Sequence, residues 1–193
     1  MNKNKVLQIA FNMLLQNGTI DISGVAEKTG LNQVKLNELF PLGDKELLMD
    51  TVEHAGRLWV AKIKQNLAEK NSIQEKLKAL ATGYALGSKD HPQSLSVYID
   101  LWKTVKDGND VYITKRLRDL YNCYIDEFCD IVKEIGADSV DTRELRSFST
   151  FMTVLSDVLH VQSITLGNEI NFEEFAKMIE KITVSFFAGV SDE

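Results

Sequence analysis

Proline is nearly absent from this chain, with two in 193 residues, and glycine contributes only eleven. So few breakers leave long stretches in which helices can propagate, and they argue against an all-β chain with its many turns. Cysteine is equally scarce. Cys123 and Cys129 stand six positions apart, with no CxxC and no second pair to complete a zinc site, so a disulfide framework is excluded and two buried reduced thiols are expected. No apolar run approaches the ~20 residues that span a bilayer. The N-terminal MNKNKVLQ has no hydrophobic signal core, so a cytoplasmic protein without a membrane anchor is expected. Positive charge is short too: 22 Lys and Arg face 28 Asp and Glu, a net charge of −6, which excludes a coat for nucleic acid.

What is present is apolar and periodic. At 44% hydrophobic and 26% charged the chain can bury a core rather than remain disordered, and its length suits one large domain or a small one joined to one of ordinary size. Residues 1 to 49 carry five Lys against five acids, so the remaining 17 basic and 23 acidic residues hold the whole negative excess. The N-terminal part is neutral, and therefore less acidic than the rest.

Val6, Ile9, Ala10, Met13 and Leu14 follow the i, i+3, i+4, i+7, i+8 rule and predict a first helix stopped at Asn17-Gly18. Asp21 caps a short second helix over Ile22 to Lys28, which Thr29-Gly30 stops. Asn32 caps a third, with Leu36 and Phe40 pointing inward. Pro41-Leu42-Gly43 then breaks the chain, and Asp44 caps the fourth. That helix runs to about Lys70 with Leu48, Val52, Ala55, Trp59, Ile63 and Leu67 on one stripe, roughly 40 Å of rod able to join two domains. Five further helices are predicted near 73 to 88, 92 to 107, 110 to 135, 142 to 166 and 171 to 190. The fold class expected is all-α, about nine helices, with residues 1–49 as a helix-turn-helix domain and 50–193 as a second helical domain.

A third helix of seven or eight residues has little stability alone, so neighbours must hold it for a purpose. Two short helices across a tight Gly-containing turn, braced by an amphipathic helix, form a helix-turn-helix whose second member is the candidate DNA reader. In order, VLQIAFNMLLQNG, ISGVAEKTGLNQVKLNELF and DKELL resemble the tetracycline-repressor (TetR) family of bacterial transcriptional regulators, over about the first quarter of the chain. The resemblance implies a homodimeric regulator, acting as a repressor, that binds a double-stranded DNA operator and answers to a small-molecule effector. It places Asn32, Gln33, Val34, Lys35, Asn37, Glu38 and Lys45 at the DNA. Here the sequence departs from the family, which usually sets a small residue, a threonine and a phosphate-binding tyrosine along this helix. Only Lys35 is an obvious phosphate partner, Gln33 and Asn37 can hydrogen-bond bases or backbone, and Glu38 would repel phosphate. Asp21 stands where the family offers an uncharged hydroxyl. The loop after Gly18 is shorter than usual, and the turn from Phe40 to Lys45 is longer.

The stretch 148 to 166 is apolar on every side: Phe148, Met152, Leu155 and Leu159 on one face, Phe151, Val154, Val158 and Val161 on another. A helix apolar all round must be buried all round, which a second copy of the chain would accomplish. The resemblance points the same way, since the last two long helices of the family build a four-helix dimer interface. The residues nominated for it are Phe148, Leu155, Leu159, Gln162, Phe175, Ile179, Ile182 and Phe186. Helices 4 to 8 are expected to enclose an apolar ligand pocket lined by Trp59, Tyr84, Tyr98, Trp102, Tyr121, Tyr124, Phe128, Phe151 and Met152.

No cofactor is expected. His54, His91 and His160 have no metal spacing, and there is no nucleophile elbow, phosphate loop or carboxylate-histidine cluster, so no enzyme is expected. Two readings stay open: the ligand-responsive DNA-binding regulator, and a dimeric ligand- or protein-binding module on the same fold that has lost sequence-specific DNA binding, motivated by the neutral head and Glu38.

Overall fold

The structure, a computed structural model, describes residues 1–86, 93–108, 110–137, 140–166 and 170–188. Among these residues there are nine α-helices and no strand: α1 Lys3–Asn17, α2 Ile22–Thr29, α3 Gln33–Leu39, α4 Asp44–Ala68, α5 Ile73–Leu86, α6 Gln93–Lys106, α7 Val111–Glu134, α8 Thr142–Leu166 and α9 Phe172–Phe186. They form two compact units. Unit one takes Met1–Leu58 and Gln93–Leu120, and unit two takes Trp59–Pro92 and Tyr121–Glu193, so α4 and α7 each give their first part to unit one and their second to unit two.

In unit one the helix ends follow from local chemistry. The Asn2, Asp21 and Asn32 side chains accept from the backbone N–H of Lys5, Gly24 and Lys35 at 3.0, 2.7 and 2.8 Å, each satisfying a donor the helix leaves open. Gly18 and Gly30 close α1 and α2 in the left-handed conformation, at φ 72° and 69°, which costs a glycine nothing. The periodic positions point inward: Val6, Leu7, Ala10, Ile22, Val25, Leu36, Phe40 and Leu47 make one buried cluster. Leu36 is the single buried residue of α3, so this core is what holds that short helix.

One expected cap is different. Gly43 stands at the cap position of α4, its carbonyl accepting from Glu46 and Leu47, and Asp44 is the first helical residue. The Asp44 carboxylate instead accepts from the Ile22 N–H at 2.7 Å, across 22 positions, and so caps α2. The α2 N-terminus is thereby closed by two aspartates.

Unit two is built around Leu77, Leu80, Tyr84, Phe128, Val132, Leu145, Phe148, Met152, Ile179 and Phe187. Close approach of α5 to the second part of α4 requires Gly83, since a Cβ there would lie 2.9 Å from Ile63 Cγ1. Cys129 is buried, as its α7 position dictates, and burial pushes its thiol pKa up. Cys123, expected buried, is exposed: the inward positions of α7 in this unit are Tyr124, Phe128, Ile131 and Val132, and 123 lies off that stripe.

Candidate functional site

The outward surface of α3 consists of Gln33, Val34, Lys35, Asn37 and Glu38, with Val34 68% exposed. Asn32 is exposed as well, but its side-chain oxygen is engaged in the cap. An apolar methyl pair beside two amides is a surface able to meet a thymine methyl and base edges in a major groove. The charges are internally matched. Lys35 Nζ lies 2.7 Å from Glu38 Oε2 on the next turn, and Lys45 Nζ lies 3.2 Å from Asp110 Oδ2 and 5.5 Å from the Tyr112 ring. Asp21 and Asp44 occupy the α2 N-terminus, where free N–H groups would otherwise favour an anion.

Behind this surface, still within unit one, an ion-pair network joins α1, α4 and α7. Arg116 donates to Asp50 Oδ1 and Glu53 Oε1, both at 2.8 Å, and to the Tyr112 hydroxyl at 2.6 Å, while Lys3 pairs with the other oxygen of Asp50. His54 sits on the same helix, its Nε2 3.3 Å from Gln8 Oε1, and its pKa is lowered by burial and by Arg57. Apart from the Arg116–Tyr112 bond within α7, these contacts link residues more than 40 positions apart, which helical periodicity does not report.

Unit two gathers part of the aromatic set nominated for a ligand. Trp59 packs on Tyr84 with ring centroids 4.7 Å apart and edge-on to Tyr124 at 5.5 Å; Tyr84 meets Phe128 at 4.8 Å and Tyr121 meets Tyr124 at 6.4 Å. The Trp59 indole donates to the Gly83 carbonyl and the Tyr84 hydroxyl to the Tyr124 carbonyl, so both donors are satisfied. Tyr84, Phe128 and Met152 are completely buried, whereas Trp59 and Tyr121 keep part of their surface open. Phe151 is 45% exposed on α8. Tyr98 and Trp102 belong to unit one, with their rings 6.3 Å apart.

The apolar excess of the last helices is divided between inside and outside. Phe148, Leu159 and Ile179 are buried within unit two, Leu155, Phe175 and Phe186 are half-buried, and Gln162 and Ile182 are exposed. Phe148 stacks on Phe186 with centroids 4.2 Å apart. Along the outer side of α8, Phe151, Val154, Val158 and Val161 expose 38–55% of their surfaces, and Met178 and Ile182 do the same one turn apart on α9. Val154, Val158, Val161 and Met178 stood outside the interface nominated from the sequence. For the three valines the signal was the second apolar face of α8.

No family model matches the chain, and no curated protein matches it in sequence. Solved structures do match. A protein of Saccharomonospora viridis described as a transcriptional regulator, solved with choline, superposes with TM-score 0.65 at 16% identity over 91% of this chain and 92% of that one. The transcriptional regulator FadR of Bacillus subtilis, solved with stearoyl-CoA, gives 0.65 at 12% identity over 94% and 97%. A Rhodococcus protein described as a TetR-family transcriptional regulator gives 0.61 at 16% identity over 96% of both chains. The chain has the TetR-regulator fold.

At 12–16% identity the fold is what is shared. Within the TetR fold, α2 and α3 are the helix-turn-helix pair and α8 and α9 the last two long helices. Among the described residues no group of three or more His, Cys, Asp or Glu could hold a metal ion, and no helix is long and apolar enough to cross a membrane.

Proposed function

We propose that this protein is a cytoplasmic, homodimeric transcriptional repressor that binds double-stranded operator DNA through α3 and is controlled by a small molecule, rather than an enzyme. The observation that carries the reading is α3 itself: a seven-residue helix anchored by one buried leucine, capped by Asn32, and presenting Gln33, Val34, Lys35, Asn37 and Glu38 outward. Nothing in core packing requires so short an element with so polar an outer face, whereas base reading does. Residues 1–49 are then the DNA-reading part and 50–193 the ligand-binding and dimerisation part. Dimerisation is supported by the outer apolar residues of α8 and α9, since single copies rarely leave such a stripe in water. Effector control is supported by neighbours solved with choline and with stearoyl-CoA, and by a half-open aromatic group at Trp59, Tyr121 and Tyr124. A ligand that binds one conformation of the dimer better than another shifts the DNA affinity by that difference.

A second reading, a dimeric binding module without DNA affinity, is favoured by the charge pairing of the head, where Lys35 and Lys45 both face a carboxylate and two aspartates sit at the α2 N-terminus. One experiment separates the two. Fluorescence anisotropy of the purified protein against duplexes flanking its own gene and against random duplexes, over a salt series, should show preference for the former with affinity falling as salt rises. Absence of binding to either at low salt would leave the second reading standing.

A further inference from the structure

Asp157 lies on α8 in unit two and is half-buried. Its Oδ2 accepts from the Tyr121 hydroxyl at 2.8 Å, and among the described residues it has no cationic partner. The ring of Tyr121 meets that of Tyr124 at 6.4 Å, edge to face, and Tyr124 in turn meets Trp59 at 5.5 Å. Ser156, beside it on α8, is buried, and Tyr121 and Trp59 are partly open. A carboxylate withdrawn from water costs free energy unless a positive group or several donors meet it, and one tyrosine hydroxyl supplies a single donor. Consistent with that, burial raises the Asp157 pKa to about 6 despite the opposing hydrogen bond. Elsewhere in unit two Lys64 pairs with Glu127, and Arg146 with Asp126. Asp157 stands apart from these.

We propose that Asp157, braced by Tyr121, is the anionic anchor of the effector site, and that the effector is an organic cation, an alkyl- or arylammonium compound whose charge meets the Asp157 carboxylate and whose carbon skeleton lies against Tyr121 and Tyr124. This deepens the regulator reading and rests on its claim that a small molecule binds here. Electrostatics chooses the class. An anionic effector would face an uncompensated carboxylate, and a neutral one would leave the carboxylate with the same single donor. An ammonium group supplies charge and N–H donors together, and aromatic faces attract it further. The Tyr121 hydroxyl, by donating to Oδ2, fixes the carboxylate and leaves Oδ1 for the ligand.

The test uses benzylammonium, benzyl alcohol and benzoate, which share a ring and differ in charge, titrated calorimetrically into the full-length wild type and into Asp157→Asn and Asp157→Glu. Asparagine keeps the shape and the acceptor for Tyr121, and glutamate restores the charge. The wild type should bind benzylammonium about tenfold or more tighter than benzyl alcohol. The preference should vanish in Asp157→Asn and return in Asp157→Glu. Equal affinity for the cation and the alcohol, a preference that survives in Asp157→Asn, or no binding of benzylammonium at millimolar concentration each overturns the assignment. Anisotropy with promoter DNA, with and without benzylammonium, separates this from failure of the parent reading. Benzyl alcohol or benzoate releasing DNA while the cation is silent leaves an effector-controlled regulator with a different ligand class. Cation binding that leaves DNA affinity unchanged keeps the Asp157 site and removes its effector role.

Discussion

Lys35 and Glu38 form an ion pair of 2.7 Å along the outer side of α3, so the one basic residue on the outer surface of this helix is matched by an acid one turn away. Both are more than half exposed, and the pair itself contributes little to stability. Its consequence lies in binding. A phosphate approaching Lys35 must displace or outcompete Glu38, and a repulsive charge near the backbone lowers affinity for every sequence.

Glu38→Gln should therefore tighten binding to promoter and random duplexes alike, while Lys35→Ala should weaken both and lower the salt slope by about one per half-site contact. Gln33→Ala, Val34→Ala and Asn37→Ala should instead reduce the difference between the two duplexes. Anisotropy titrations at two salt concentrations check this. If Glu38→Gln relaxes sequence preference without changing affinity, Glu38 accepts from a cytosine amino group and is a reader, not a repeller.

Val154 and Val158 should behave unlike Leu159. The first two are 55% and 45% exposed in the single chain, so Val154→Asp or Val158→Asp should leave the fold intact and give monomers if this side of α8 meets a second copy. Leu159 is 1% exposed, so Leu159→Asp should prevent folding instead, and Leu159→Ala should cost roughly 2–5 kcal/mol. Sedimentation together with circular dichroism distinguishes the outcomes. A wild type that sediments as a monomer at micromolar concentration would remove the dimer.

The elements that could be read from the sequence are those whose causes are local. Gly18, Gly30, Asn32 and the Leu36–Phe40 pair each act within a turn or two, and the helices they bound lie where periodicity put them. Asp44 shows where this stops. Its sequence context reads as a cap for the helix that follows, but its partner is Ile22, and only tertiary placement reveals that. The Tyr121–Asp157 bond and the Arg116 network are of the same kind, joining α7 to α8 or to α4. Apolar character around all of α8 was visible; which side would remain open was not, because that depends on what α5 and α9 cover.

Arg116 should be expensive to remove. It bridges Asp50, which is 9% exposed, and Glu53, and its own pKa is raised by these partners. Arg116→Met leaves Asp50 to Lys3 and takes from Glu53 the cation it pairs with, at a cost of about 2–4 kcal/mol in urea denaturation. Adding Glu53→Gln should recover part of that, because it removes the stranded charge. Additive losses in the double variant would show that Arg116 acts through packing rather than charge.

Asp157 makes stability depend on pH in the direction opposite to most aspartates. Burial raises its folded-state pKa from the usual 3.8 to about 6, so between these values the folded protein holds a proton that the unfolded chain releases. The resulting stabilisation is fully present below about pH 4 and is lost as pH rises through about 6. Between pH 5 and pH 7 the wild type should lose about 1 kcal/mol relative to Asp157→Asn, whose amide does not titrate. Urea denaturation of both proteins at the two pH values measures the difference, and a constant offset would mean that the carboxylate is solvated. If benzylammonium occupies the site it pairs the carboxylate and draws its pKa back down. Repeating the measurement at saturating benzylammonium should then shrink or reverse the loss toward pH 7, whereas an uncharged ligand leaves the carboxylate no easier to ionise and so cannot offset that loss.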